Sequence, residues 1–230
     1  MKKAGIFLYA VTGALAAFYL VVSLIPNVLI EPFVRLFLLV LPCVTVYVGS
    51  LFLTGGRDTG YKNKIMRRTF GVIFVFYLLL ITTLVLFDPY YGRSGHMSIW
   101  QWNKELFINY INNSCNLIPF ATVWGYISAA VNGTINADII LTNLAGNIVA
   151  FCPFGFFLPL LWKKQKKFGY FTLTTTAIVL AVELLQFITL VGSCDIDDLI
   201  LNVLGAMAVF GLTHISPIKK AIDKITYLNY

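Results

Sequence analysis

The chain has 230 residues, 59% of them hydrophobic and only 12% charged, with a mean hydropathy of +0.82. That leaves too little polar surface for a water-soluble domain. A net charge of +7 would point to nucleic acid in a soluble protein. In a membrane protein the placement of charge matters more than its sum, and no nucleic-acid partner is expected.

A bilayer core about 30 Å thick needs roughly 20 apolar residues of helix to cross it. Runs of that length fall at 5–25, 33–53, 70–87, 139–162, 170–190 and 199–215. The expected fold is therefore all-α, a polytopic membrane protein of about six transmembrane helices that leaves no room for a separate soluble domain. The run at 5–25 follows Met1-Lys2-Lys3, is too long for a signal-peptide core, and lacks a small-x-small cleavage site, so it reads as a retained first span.

Basic residues stay on the cytoplasmic side of short loops. Lys2 and Lys3 precede the first span. Arg57, Lys62, Lys64, Arg67 and Arg68 lie between spans two and three, and Lys163, Lys164, Lys166 and Lys167 between four and five. Lys219, Lys220 and Lys224 follow the sixth. Six spans with both termini inside put all of these in the cytoplasm and leave only Arg93 and Lys104 in outer loops. Arg35, near the outer end of span two, is placed to snorkel to the head groups or to hold an anionic ligand. The long outer loop, 88–138, carries Ile99, Trp102, Leu106, Tyr110 and Ile111 on one helical face over 98–113, which reads as an amphipathic helix in the outer interface.

Polar residues inside spans are costly and so are functional candidates. Asn143 and Asn147 share a face of span four, and Glu183 and Gln186 share a face of span five. Asp195-Ile196-Asp197-Asp198 leads into span six, where Asn202 lies one turn beyond Asp198. At 1.5 Å per residue Asn147 sits about 12 Å and Glu183 roughly 10 Å below the outer end of their helices. Asp198 and Asn202 begin their helix on that same side. A shared polar pocket opening outward is the expectation, and Glu183 is its most telling member, because a hydrogen-bond network that only glues helices together needs no acid. Asp195, Asp197 and Asp198 offer oxygen ligands for a hard divalent cation, Mg or Ca, or else form an acidic turn that caps the sixth helix.

Cys43 and Cys152 fall within spans and read as packing residues. Cys115 and Cys194 fall outside, where a disulfide is permitted, and each directly precedes a polar residue, Asn116 or Asp195; the sequence leaves open whether they pair. There is no phosphate-binding loop, no His-Glu-x-x-His, no Gly-x-Ser-x-Gly and no Cys/His zinc spacing. Repeated halves, which would favour a transporter, are also missing.

Four ordered motifs resemble the VanZ-like membrane proteins: Asn116-Leu117-Ile118-Pro119-Phe120; Asn143-Leu144-Ala145-Gly146-Asn147 through Phe151-Cys152-Pro153-Phe154-Gly155; Glu183-Leu184-Leu185-Gln186; and Asp195 through Ala206. The resemblance covers about 114–213, and the three spans in 1–90 carry no such signature. It implies a multi-pass protein of the bacterial plasma membrane with a cell-envelope role, the namesake branch being associated with teicoplanin resistance. One departure stands out. Many members carry an Arg in the loop before the Asp run, where this chain has Gly192-Ser193-Cys194; if that Arg contacts an anionic ligand in them, either Arg35 or Arg93 replaces it here or the ligand differs.

Two functions follow as expectations. In the first, a lipid head-group enzyme uses Glu183 as general acid/base, with Gln186, Asn147 and Asn202 orienting the substrate and Asp195 and Asp198 holding a cation or the nucleophile. Asn116, Asn143 and Arg35 complete the binding set. In the second, a non-catalytic protein binds or masks lipids, lipid-linked wall precursors or a glycopeptide antibiotic. A proton- or cation-coupled transporter ranks third, since the cytoplasmic halves of the spans lack polar residues.

Overall fold

With no water in hydrocarbon to satisfy peptide groups, an open-ended chain crosses a membrane as helix, and helices dominate here. A computed structural model describes residues 2–24, 32–86 and 103–228. Its elements are α1 (Lys2–Leu24), α2 (Pro32–Thr54), α3 (Thr59–Leu86), α4 (Lys104–Ser114), β1 (Cys115–Asn116), α5 (Ala121–Val131), α6 (Ala137–Ala150), α7 (Cys152–Leu161), α8 (Phe168–Thr189), β2 (Cys194–Asp195), α9 (Ile196–His214) and α10 (Ser216–Thr226), with a 3-10 turn at Lys163–Lys166. Six segments are long and apolar enough to cross a membrane: α1, α2, α3, α6 and α7 taken together, α8 and α9. The chain is an all-α, multi-pass membrane protein. Arg93, Ile99 and Trp102 lie outside the described residues.

The molecule divides into two compact units, one of residues 1–84 with 219–230 and one of residues 85–218. In the first, α1 and α2 approach closely. A Cβ on Gly5 would fall 2.7 Å from the Leu53 side chain, and one on Gly49 would fall 3.0 Å from the Tyr9 ring. Small residues let helix backbones meet without a hydrophobic drive between them. Hydroxyls then bridge the helices. Tyr9 pairs with Ser50 at 2.9 Å, Ser50 with Thr69 at 2.5 Å, and Thr12 with Thr45 at 2.7 Å. Arg35 is buried in this unit, 8% exposed, rather than extended to the surface. The C-terminal segment packs here too: the Tyr47 hydroxyl donates to the Ile225 carbonyl at 3.0 Å, and the Lys62 ammonium sits 3.5 Å from the centre of the Tyr227 ring.

The second unit is built around α9. The expected fourth span is two helices, α6 and α7, which meet at Phe151 in a non-helical conformation (φ −104°, ψ 4°). Pro153 explains the break: it has no N–H for the turn before it, and it is well tolerated in the first turn of α7. The Ile148 carbonyl accepts from the Cys152 thiol at 3.1 Å. Two glycines then let α9 lie against this broken helix. A Cβ on Gly205 would collide with the Ile148 carbonyl, and one on Gly155 with the Ala206 carbonyl.

The segment after Asn116 holds a helix that the sequence reading did not separate from its loop. Ala121–Val131 is apolar but only 11 residues long, too short to cross. α4 forms over part of the expected amphipathic stretch. Asn103 caps it, accepting from the Leu106 N–H at 2.8 Å. Its Phe107 and Tyr110 rings make edge contacts with Phe187 of α8 at 5.8 and 6.1 Å.

Gly205→Ala is expected to lower stability by about 1–3 kcal/mol, because an added methyl has no room and the backbone must shift. Gly146→Ala, where nothing lies within 4 Å, should be neutral or gain up to ~1 kcal/mol of helix propensity. Thermal unfolding of the two variants in detergent distinguishes these outcomes.

Candidate functional site

The N-terminus of α5 sets the site's geometry. Its cap residue, Phe120, is in the left-handed region (φ 64°) and offers no side-chain acceptor, so the free N–H groups of the first turn need one from elsewhere. Asp197 supplies it. One carboxylate oxygen accepts from Phe120 N–H at 2.5 Å, and the other from Thr122 and Val123 N–H at 2.9 and 3.0 Å. A buried carboxylate at a helix N-terminus is favoured by both its hydrogen bonds and the helix dipole. Asp197 is 1% exposed.

Asp195 does two jobs. It caps α9 by accepting from Asp197 N–H at 2.9 Å, and it accepts from the Thr122 hydroxyl at 2.5 Å and from the Asn116 amide at 3.4 Å. Asn116 also donates to Thr122 at 2.8 Å, and its carbonyl accepts from Ile118 N–H at 3.1 Å. β1 and β2 run parallel, with Cys115 opposite Cys194 and Asn116 opposite Asp195. Asp198 accepts from the Asn147 amide, which ties α9 to α6. Asn143 donates to the Tyr126 hydroxyl at 2.9 Å, joining α6 to α5.

The expected polar residues are therefore brought together, though largely toward one another. The three aspartates face different partners: a helix terminus for Asp197, Thr122 and Asn116 for Asp195, Asn147 for Asp198. Among the described residues no group of three His, Cys, Asp or Glu side chains could hold a metal ion. Asp195, not Asp198, is the residue that caps the sixth spanning helix. A crevice of about 410 Å³ lies in the first unit, among Tyr9, Thr12, Ala16, Val46, Arg68 and Phe76. Arg35 also belongs to the first unit.

A second group gathers at the same end of α8. Glu183 is 9% exposed and Gln186 3%, and the Gln186 amide donates to the Val85 carbonyl at 3.2 Å. Glu183 lies within electrostatic reach of Tyr110 and Cys194. Burial, then the charges of Cys115, Cys194 and Glu183, raise the Tyr110 hydroxyl well above its ordinary value, so it stays a neutral donor at physiological pH. That hydroxyl is buried with no hydrogen-bond partner among the described residues, as is the Asn202 side-chain oxygen. Buried polar atoms without partners are rare in folded proteins. Sequence reasoning placed Tyr110 on an apolar face and passed over Thr122 and Tyr126. The signal for Tyr110 was a hydroxyl on the side of a helix that had to be buried.

The four motifs thus occupy one connected structure: Asn116 and Phe120 around the α5 terminus, Asn143 and Asn147 on α6, Glu183 and Gln186 on α8, and Asp195, Asp197 and Asp198 at the start of α9. A family model described as VanZ/LLP1 matches residues 74–217. The chain belongs to the VanZ/LLP1 family. The family match takes in the C-terminal part of α3 and nearly the whole of the second unit, and the first two spans lie beyond it. The chain is also similar to Protein VanZ of Enterococcus faecium, with 26% identity over 154 residues that cover 65% of this chain and 78% of that protein. No solved structure matches. Every hydrogen bond described above for Asp195, Asp197 and Asp198 lies within the family-matched region.

Asp197→Ala leaves three N–H groups at the α5 terminus without their acceptor. We expect a loss of about 2 kcal/mol of local stability, in the range of a lost charged cap. Hydrogen exchange at Phe120, Thr122 and Val123 should then rise by more than tenfold, with little change in α7. Equal exchange in variant and wild type would rule out this role for Asp197.

Proposed function

We propose that this protein works at the outer leaflet of the bacterial plasma membrane, where it binds the polar head of a cell-envelope lipid or of a lipophilic, teicoplanin-type glycopeptide, with Glu183 as the recognising acid. The reading rests on one observation. A carboxylate 9% exposed in a membrane-spanning helix lies near a buried tyrosine hydroxyl with no partner among the described residues. Membrane-embedded acids are kept where they meet a ligand, a proton or a cation. On the orientation read from the basic loops, this end of α8 faces outward, where lipid-linked wall precursors and lipophilic glycopeptides are both met. Similarity to Protein VanZ and the association of that branch with teicoplanin resistance support the same compartment.

Binding is preferred to head-group chemistry because of the hydrogen-bond pattern. An acid/base reaction needs a nucleophile or activated water beside its catalytic acid, and often a cation. Asp195 and Asp197, the nearest carboxylates in sequence, are held by Thr122, Asn116 and the α5 terminus. Glu183 and Tyr110 then suit donor and acceptor contacts to a phosphate, sugar or amide.

The test compares cells expressing wild type and Glu183→Gln at matched protein levels, scoring teicoplanin susceptibility and the membrane lipid profile together. We expect susceptibility to increase several-fold in the variant while the lipid profiles stay the same. A head-group product found only with the wild type would replace binding by catalysis. Unchanged susceptibility together with unchanged lipids would remove Glu183 from the site.

A further inference from the structure

Cys115 and Cys194 are far apart in sequence and side by side in the fold. β1 and β2 are two residues each, run parallel, and set Cys115 directly opposite Cys194. Neighbouring strands are about 4.7–4.9 Å apart, inside the roughly 4.4–6.8 Å that disulfide-bonded Cα atoms span. Residues in register on parallel strands project to the same face, and the two thiols are close enough to hydrogen-bond to each other. Both are part-buried. Neither lies in a membrane-spanning segment, and the basic-loop orientation puts both on the outer side, where thiols can be oxidised.

We propose that Cys115 and Cys194 form an outer-face disulfide that fastens the α4–α5 segment to the start of α9. In the step, each thiol loses one proton and one electron, and one S–S bond forms. The electron pair passes to a disulfide-bearing thiol oxidase of the extracytoplasmic space, whose own S–S bond is reduced to two thiols. The claim goes beyond the proposed function and does not depend on Glu183 binding any ligand.

The surroundings favour a lasting bond over a rapid switch. Burial first, then the proximity of Cys115, Glu183 and Asp195, pushes the Cys194 thiol up to about 11. Burial also raises Cys115. Exchange is fast when the departing thiol is acidic and slow when it is not, so a bridge between two such sulfurs resists external thiols. The bond sits next to the hydrogen bonds it would protect. Asn116 follows Cys115, Asp195 follows Cys194, and these two are themselves paired through an amide–carboxylate contact. Tyr110 lies on the helix that leads into Cys115, so the crosslink would also hold its hydroxyl near Glu183.

The experiment counts thiols in the full chain, in membranes from cells with an oxidising extracytoplasmic space. Samples are quenched in acid, denatured in detergent, and tagged with a maleimide-polyethylene glycol before or after reduction. Wild type has four cysteines, and two tags are expected without reductant and four with it. Cys115→Ser should show three tags in both conditions, since Cys194 is released, and Cys194→Ser should do the same. A Cys43→Ala, Cys152→Ala background carries only the pair and should show no tag before reduction and two after. Four tags on the unreduced wild type would overturn the proposal. So would a reducible dimer on a non-reducing gel, which would place the bond between chains.

Discussion

Asp197 is where the second unit is joined to itself. A helix that begins near lipid must find acceptors for its first N–H groups, and α5 begins at Phe120, a left-handed residue with no acceptor of its own. A non-glycine residue in that region carries a strain of roughly 1–2 kcal/mol, and it persists only where surrounding contacts fix it. The carboxylate that does so comes from 77 residues further along the chain. Once Asp197 holds that terminus, Thr122 is in reach of Asp195, β1 is beside β2, and α4 continues back from Cys115 onto α8. The polar cluster follows from one helix start.

Further along α9 the packing is held by the lack of side chains. Gly205 and Gly155 let α9 reach the backbone of α6 and α7, and the break at Phe151 gives these two helices separate directions. Asn147 reaches Asp198 from α6, while Phe154, 1% exposed, packs from α7. A continuous fourth helix would have to satisfy both contacts along one axis. Proline and glycine, poor helix residues in water, are tolerated here because neighbouring helices make up the missing contacts.

Much of the fold was legible because hydrocarbon allows so few solutions. Length and apolarity gave six spans, and the basic residues between them gave an orientation. Glu183 stood out because an acid is rare in a span. What a single sequence could not supply was partnership. Spacing puts Asn143 and Asn147 on one face, yet one bonds Tyr126 and the other Asp198, in different elements. Adjacency in the Asp run left a cation site and a helix cap both open, and only the fold shows that the three carboxylates have different partners. Ala121–Val131 was hidden by its length, too short for a span and too apolar for an ordinary loop. The break at Phe151 lay inside an unbroken hydropathic run, so only Pro153 hinted at it.

The C-terminal segment has a consequence for biosynthesis. Tyr47 and Lys62, both made early, hold Ile225 and Tyr227, and Leu228 is buried at 3% exposure. Domains generally form in the order in which the ribosome delivers them. Here α1, α2 and most of α3 emerge before the second unit but wait for residues delivered after all of 85–218. Residues 1–84 are thus completed only after the second unit has been made. A chain interrupted before residue 219 would carry a complete second unit and a first unit with its closing segment missing, a difference that a membrane protease could read as the mark of an unfinished product.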